Sequence, residues 1–240
     1  MKIVVVHGSP RKGNTYAATQ VFMEEMRKQG PVEFSEYFLP KDMPEFCCGC
    51  MICFLKSEEL CPHAKYTLPV LDDMLKADAL IFSTPVFVFQ ASGCMKSFLD
   101  HYGHLFIVHR ARPEMFRKKA FIISSTAGAG TKAAIKTINA SLRYWGINRV
   151  YSLAFATFGD EWKSMKTDKK SKINSRIKKK AVRFYREVAS GKRHHPYFLI
   201  RLMFIVRKIM MKKFDDDSSV DKKYWMKNGW LQGTNSPFKS

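Results

Sequence analysis

The sequence predicts an α/β fold, a doubly wound parallel sheet of five strands followed by a C-terminal helical extension. Three observations predict it. Short apolar runs alternate with helical stripes in a βαβαβαβαβ order over residues 1–156. Those runs are continuously apolar, as strands are when helices cover both faces of a parallel sheet with crossover connections. The composition then changes: residues 1–160 hold 19 basic and 14 acidic side chains, net +5, whereas residues 161–240 hold 22 and 7, net +15. A domain over 1–160 and a basic extension over 161–240 are the expected division. The extension would hold the last helix of the domain, an interface helix and a Trp-containing tail.

The elements follow in order. Lys2–His7 (KIVVVH) is an apolar run ending in a glycine turn, and residues 15–29 place Ala18, Val21, Phe22 and Met26 on one helical stripe. Residues 32–37 give a second strand, 68–76 a short helix and 79–83 (ALIFS) a third strand. A helix over 92–104, a strand over 120–124 (AFIIS), a helix over 131–144 and a strand over 149–156 complete the alternation. Five such strands suggest a flavodoxin-like sheet. Beyond them lie a basic helix near 171–190, a GKRHHP hinge, an apolar helix over 197–213 and a tail rich in Asp, Lys and Trp. With 46% hydrophobic residues in 240, the chain has enough apolar surface for a real core, so wholesale disorder is excluded.

The turn after the first strand reads Gly8-Ser9-Pro10-Arg11-Lys12-Gly13-Asn14-Thr15. Small residues ahead of a helix N-terminus expose amide hydrogens at the positive end of the helix dipole, which suits an anion; Ser9 and Thr15 add hydroxyls and Arg11 adds charge. Asn14 stands where a triphosphate-binding loop needs lysine, and no G-x-G-x-x-G is present, so one monophosphate fits better than a nucleoside triphosphate or a dinucleotide. A plain Gly-Pro turn is the competing reading. Two more loops, 84–89 (TPVFVF) and 125–130 (STAGAG), fall at the carboxyl ends of strands, where ligands of open α/β sheets bind.

The segments HGSPRKGNT, TPVFVFQASGCMKSFLDHY and ISSTAGAG, in this order and at these strand ends, resemble the NADPH-dependent FMN reductase group of flavodoxin-like proteins, over residues 1–156. The resemblance implies an FMN phosphate held by Ser9, Arg11, Lys12, Gly13, Asn14 and Thr15. It further implies a flavin ring lying along Pro85, Val86, Phe87, Val88 and Phe89 and closed at its polar edge by Thr126, Ala127 and Gly128. Phe87 occupies a position where relatives often carry tyrosine, which removes one hydrogen bond but not the stacking surface.

Cys47, Cys50, Cys53 and Cys61 form C-x2-C-x2-C-x7-C, with Pro62 after the last. A compact run with a trailing proline is like that of bacterial ferredoxins and favours iron and sulfur, whereas structural zinc usually shows two separated C-x2-C halves. The run also resembles the iron–sulfur flavoprotein branch of the same family, which implies a [4Fe–4S] cluster on these four thiolates. Free thiols lining a flavin pocket are the alternative; Cys48 lies outside the spacing and Cys94 reads as an ordinary buried residue. Clustered thiols and the absence of a signal-peptide pattern point to a reducing cytoplasm.

Asp72 and Asp73 read as first-turn helix carboxylates, and His101, His104 and His109 as partly exposed polar residues without metal spacing. The basic run 163–186 reads as a solvated helix face, with no interleaved aromatics to stack bases, so no nucleic-acid partner is expected. The apolar helix is interrupted by Arg201, Arg207 and Lys208 and is too short to span a bilayer, which needs about 20 apolar residues. Its broad apolar face is expected to pack on the domain or a second subunit, giving a homodimer or higher oligomer. Tyr224, Trp225 and Trp230 are large anchors for docking. The functional expectation is an FMN-dependent NAD(P)H oxidoreductase passing electrons to a small-molecule or protein acceptor. A flavin carries that chemistry itself, so no catalytic side chain is named. The alternatives are an FMN plus [4Fe–4S] electron-transfer protein fed by a ferredoxin-like partner, and a non-enzymatic flavin-binding regulatory module.

Overall fold

The computed structural model of the chain describes residues 1–238. Its strands are β1 (Lys2–His7), β2 (Glu33–Phe38), β3 (Ala79–Phe87), β4 (Gln90–Ala91), β5 (Lys119–Thr126) and β6 (Arg149–Ala156). Five of them form the expected parallel path in the order β2-β1-β3-β5-β6. The sixth, β4, is a two-residue strand antiparallel to the end of β3, with Val86 opposite Ala91 and Phe87 opposite Gln90. The helices are α1 (Asn14–Arg27), α2 (Ile52–Leu55), α3 (Ala64–Lys76), α4 (Gly93–His101), α5 (Thr131–Tyr144), α6 (Thr167–Ala189), α7 (Phe198–Lys213) and α8 (Val220–Lys227).

Successive strand side chains point to opposite faces, so the continuous apolar runs supply two cores at once. On one face Val4, Val6, Leu80, Phe82, Ala120 and Ile122 meet Val70 and Met74 of α3, Phe98 of α4, and Ile138 and Leu142 of α5. On the other, Ile3, Val5, Ile81, Phe121 and Ile123 meet Phe22 and Met26 of α1, and Ile177, Ala181 and Phe184 of α6. The strongly basic α6 is thus a sheet-covering helix: it buries Ile173, Ile177, Ala181, Phe184 and Val188 and turns its lysines to solvent.

A third cluster joins α7 and α8 to the segment between α4 and β5. Ile200, Phe204 and Met211 of α7, with Trp225 of α8 and Trp230, pack on Ile107, Ala111 and Phe116. Trp225 stacks on Phe204 at 4.5 Å and is fully buried, so the expected anchors dock on their own chain. The domain covers only one edge of α7. Phe198, Leu199, Leu202, Ile205, Val206, Ile209, Met210 and Phe214 remain exposed. No helix among the described residues is long and apolar enough to cross a membrane.

Two sequence readings need correction. The third helix begins at Ala64, so Asp72 and Asp73 lie in its last turns and cannot cap its start. Asp72 instead pairs with Lys76 at 2.5 Å, and Asp73 accepts a 2.6 Å hydrogen bond from the Tyr37 hydroxyl. The buried stripe Thr67, Val70, Leu71 and Met74 carries the helix past Pro69, which therefore lies inside it. His101 and His104 are buried, not partly exposed. His101 receives Nδ1 of His63 on its Nε2 at 3.0 Å while its own Nδ1 donates to the Ser97 carbonyl at 2.9 Å.

Burial holds His104 neutral, lowering its pKa from 6.5 to about 4 against the opposing attraction of Glu58. Between those values the unfolded chain takes up a proton that the folded chain refuses, so this contribution is present above pH 6.5 and lost as pH falls toward 4. Denaturant unfolding followed at about pH 7.5, 6 and 5 should show falling stability, and His104→Gln should flatten the slope. An equal slope in the variant would place the acid sensitivity elsewhere.

Candidate functional site

The carboxyl ends of β1, β3, β5 and β6 open into one cavity of about 900 Å³, within the usual range for cofactor sites. Its floor is the turn between β1 and α1. The Gly8 amide donates to the Ser83 carbonyl at 2.7 Å and the Gly8 carbonyl accepts from Ser92 Oγ at 2.6 Å, which fastens the turn to the neighbouring crossover. Gly13 occupies the cap position of α1, and no side chain caps the helix. The first amides of a helix have no intrahelical acceptors, so here they face the cavity as donors.

Hydroxyls lock this floor to the sheet. Thr15 Oγ1 and Ser125 Oγ share a 2.5 Å hydrogen bond, and Thr19 Oγ1 donates to the Thr15 carbonyl at 2.8 Å while lying 3.0 Å from the Ser83 hydroxyl. Asn14 Nδ2 donates 2.8 Å to the Asp160 carbonyl, tying the floor to the loop after β6. Lys169 of α6 holds that loop by donating to Asp160 Oδ2 at 2.8 Å and to the Thr157 carbonyl at 2.5 Å.

Of the expected residues, Ser9, Arg11, Lys12, Gly13, Asn14, Thr15, Pro85, Val86, Phe87, Thr126 and Ala127 line the cavity together. Val88, Phe89 and Gly128 stand outside its wall. Lys12 rests its ammonium over the Tyr16 and Phe38 rings, at 5.4 and 5.2 Å. Sequence reasoning missed Ser125, Tyr16 and the fourth loop, whose Thr157, Gly159, Glu161, Trp162 and Lys163 also line the site. The signal for that loop was its place after a parallel strand, the same rule that exposed the other three.

A family model described as NADPH-dependent FMN reductase matches residues 1–158. The chain belongs to the NADPH-dependent FMN reductase family. It is accordingly an NAD(P)H-dependent FMN oxidoreductase, with FMN as cofactor and the nicotinamide as co-substrate. An iron–sulfur flavoprotein of Archaeoglobus fulgidus is 29% identical over 183 residues, covering 74% of this chain and 79% of that protein. Among solved structures, an FMN-dependent NADH-azoreductase of Bacillus anthracis in complex with FMN shares the fold with a TM-score of 0.61 at 11% identity, covering 77% of this chain and 100% of that one. An NAD(P)H:quinone oxidoreductase of Methanothermobacter marburgensis gives a TM-score of 0.57 at 16% identity, covering 81% and 99%.

As a member of this family the chain needs an FMN site, and the cavity fits one. Uncapped amides, Arg11 and Lys12 provide for a phosphate at one end, while Phe87 and Trp162 provide apolar walls. The β3–β4 hairpin beside the site is strained. Its two turn residues, Val88 and Phe89, have φ of 46° and 62°, the left-handed pair of a tight hairpin that Asn-Gly ordinarily supplies. Gly130, at φ 100°, lets the next loop close on it: a Cβ there would lie 2.8 Å from Phe89 Cα and 2.7 Å from Val86 Cγ1.

The cysteines form a separate group. Cys47, Cys48 and Cys50 are exposed on the loop before α2, Cys53 is half-buried in α2, and Cys61 is half-buried after the Glu58–Leu60 turn. Burial, then the nearby Cys61 and Cys47, push the Cys53 thiol up to about 11, and burial likewise raises Cys61. Among the described residues no three His, Cys, Asp or Glu groups converge at metal-binding spacing. Cys94 is half-buried, its Sγ 3.4 Å from Ser92 Oγ.

Gly130→Ala should force the hairpin and its loop apart and lower the thermal midpoint, since the left-handed backbone alone costs about 1–2 kcal/mol without glycine and the clash adds to it. Calorimetry tests this; an unchanged midpoint would mean that the hairpin yields without cost.

Proposed function

We propose that the β1–α1 turn holds the FMN phosphate, through the α1 amides, Ser9, Arg11 and Thr15, with the ring between Phe87 and the Thr126-Ala127 turn. The observation that carries this reading is the uncapped α1 N-terminus opening into the cavity beside two cations. FMN held there would supply hydride acceptance from NAD(P)H and onward electron transfer to an acceptor. Arg11 and the amides bind the phosphate, the Thr15–Ser125 hydrogen bond keeps the turn in register with β5, and the Phe87 and Trp162 walls exclude water. Calorimetric titration of the apoprotein should give about one FMN per chain. Arg11→Ala combined with Thr15→Ala should weaken binding by roughly 10- to 100-fold, as loss of charge-assisted hydrogen bonds does. FAD should bind more weakly than FMN, and equal affinities would sink the single-phosphate reading.

A second reading adds a [4Fe–4S] cluster on Cys47, Cys50, Cys53 and Cys61, making the chain an electron-transfer protein served by a ferredoxin-like donor. Two observations favour it: the C-x2-C-x2-C-x7-C spacing and the likeness to an iron–sulfur flavoprotein. The acceptor in either case is a small molecule or a protein in a reducing cytoplasm. After anaerobic reconstitution, serine at any one of the four should remove most of the iron and the ~400 nm absorbance while leaving FMN bound, whereas Cys48→Ser should keep both. Full NAD(P)H oxidation by an iron-free Cys50→Ser protein would leave the plain reductase.

The exposed face of α7 supports self-association, because eight large apolar side chains on one short segment exceed what monomers ordinarily leave in water. Light scattering at micromolar concentration should find a dimer or larger assembly. Placing glutamates at Leu202 and Ile209 should return monomers, and a monomeric wild type would refute the idea.

A further inference from the structure

One buried guanidinium joins the cysteine segment to the far end of the chain. Arg110, only 2% exposed, lies in the loop after α4. Its Nε donates to Glu58 Oε2 at 3.1 Å, one terminal nitrogen donates to Asp221 Oδ1 at 2.5 Å, and the other donates to the carbonyl of Cys53. Glu58 belongs to the short turn between Cys53 and Cys61, and Asp221 stands in the first turn of α8. Each carboxylate has a second partner: Arg112 reaches Glu58 Oε1 at 2.5 Å, and His109 Nδ1 lies 2.6 Å from Asp221 Oδ2.

We propose that Asp221, acting through Arg110, is a positioning residue for the cysteine site, so that α8 clamps the segment between Cys53 and Cys61. The guanidinium is a rigid planar fork, and a buried one must keep its nitrogens paired. With Asp221 neutralised, Arg110 retains an excess charge that water would relieve. Turning toward water withdraws the donor from the Cys53 carbonyl and loosens the Glu58 turn.

α8 has anchors besides Asp221. Trp225 Nε1 donates to the His109 carbonyl at 2.5 Å, Tyr224 Oη donates to the Ala111 carbonyl at 2.8 Å, and the Trp225 ring is buried against Phe204. An isosteric change at Asp221 therefore leaves α8 docked while removing the charge from its link to the cysteines. None of Glu58, Arg110 and Asp221 lines the large cavity, so FMN binding is an internal control. The function of the clamp rests on the reading of Cys53 and Cys61 as cluster thiolates; the clamp itself does not.

The test uses the full-length, FMN-loaded protein and its Asp221→Asn variant. Hydrogen exchange followed by mass spectrometry is read over residues 53–61 and 8–15, and iron is counted after anaerobic reconstitution with ferrous iron and sulfide. Exchange over 53–61 should quicken by roughly tenfold, as weakening one charge-assisted bond to a neutral one in a local opening unit predicts, with 8–15 unchanged. Iron retained per chain should fall by about half or more, because hydrogen bonds that hold a ligand in position govern metal retention. Arg110→Lys, which keeps the charge and loses the fork, should repeat the exchange result and serves if Asp221→Asn does not fold. Unchanged protection over 53–61, or a uniform loss across the whole chain, would overturn the clamp. Wild-type protein that takes up no iron would end the cluster reading alone, and the exchange arm would still decide the clamp.

Discussion

A parallel strand cannot be joined to its neighbour by a tight turn, so each connection must cross a face of the sheet, and each face must then be covered. The rest of this molecule follows from that constraint. Because both faces are covered, β1, β3 and β5 are apolar on both sides, and alternate side chains of one run enter different cores: Val4 and Val6 one, Ile3 and Val5 the other. Because each crossover leaves from a carboxyl end, the connecting loops gather at one edge. The site is the place where the sheet's connectivity leaves backbone groups unpaired.

That edge is selective in which groups it satisfies internally. The start of α4 is capped by Ser92, which accepts from the Met95 amide, whereas the start of α5 has Gly130 and no side-chain cap. The start of α1 likewise has Gly13 and no such acceptor, and the Thr15 hydroxyl shares a hydrogen bond with Ser125 that leaves it further bonding capacity. Strain appears at the same edge, in the left-handed Val88 and Phe89 and in the close approach of Gly130. Uncapped helix starts suit anions, and strained backbone tends to gather at ligand-binding rims.

The basic last third divides into two physical roles despite its uniform composition. The α6 helix uses its charge as a solvated outer face and its apolar stripe as part of the sheet's cover. Beyond it, α7 and α8 build a small core of their own over the segment after α4, centred on Phe204, Trp225 and Trp230. Through Asp221 that core reaches Arg110 and the cysteine segment, so residues more than a hundred positions apart share one buried ion network. Net charge predicted nothing of this, because it reports on solvent and partners and not on which carboxylate a buried arginine finds.

The sequence by itself determined the five-strand βα alternation, the parallel sheet and three of the four loops that line the cavity, because these depend on period and on local turn chemistry carried within a few residues. It misplaced what depends on contacts between distant segments. The third helix starts four residues before the expected point because its buried stripe outlasts Pro69. The β3–β4 hairpin was illegible because Val88-Phe89 carries no turn signature, and its left-handed conformation is held by packing against Gly130. His104 was read as a polar surface residue, since nothing in its neighbours announces that the chain will close over it. Only the tertiary structure decided the fourth loop, held by Lys169 of α6, and the pairing of Arg110 with both Glu58 and Asp221. Such pairings cost chain entropy that local patterns cannot encode, and they form only once the two cores have brought the distant segments together.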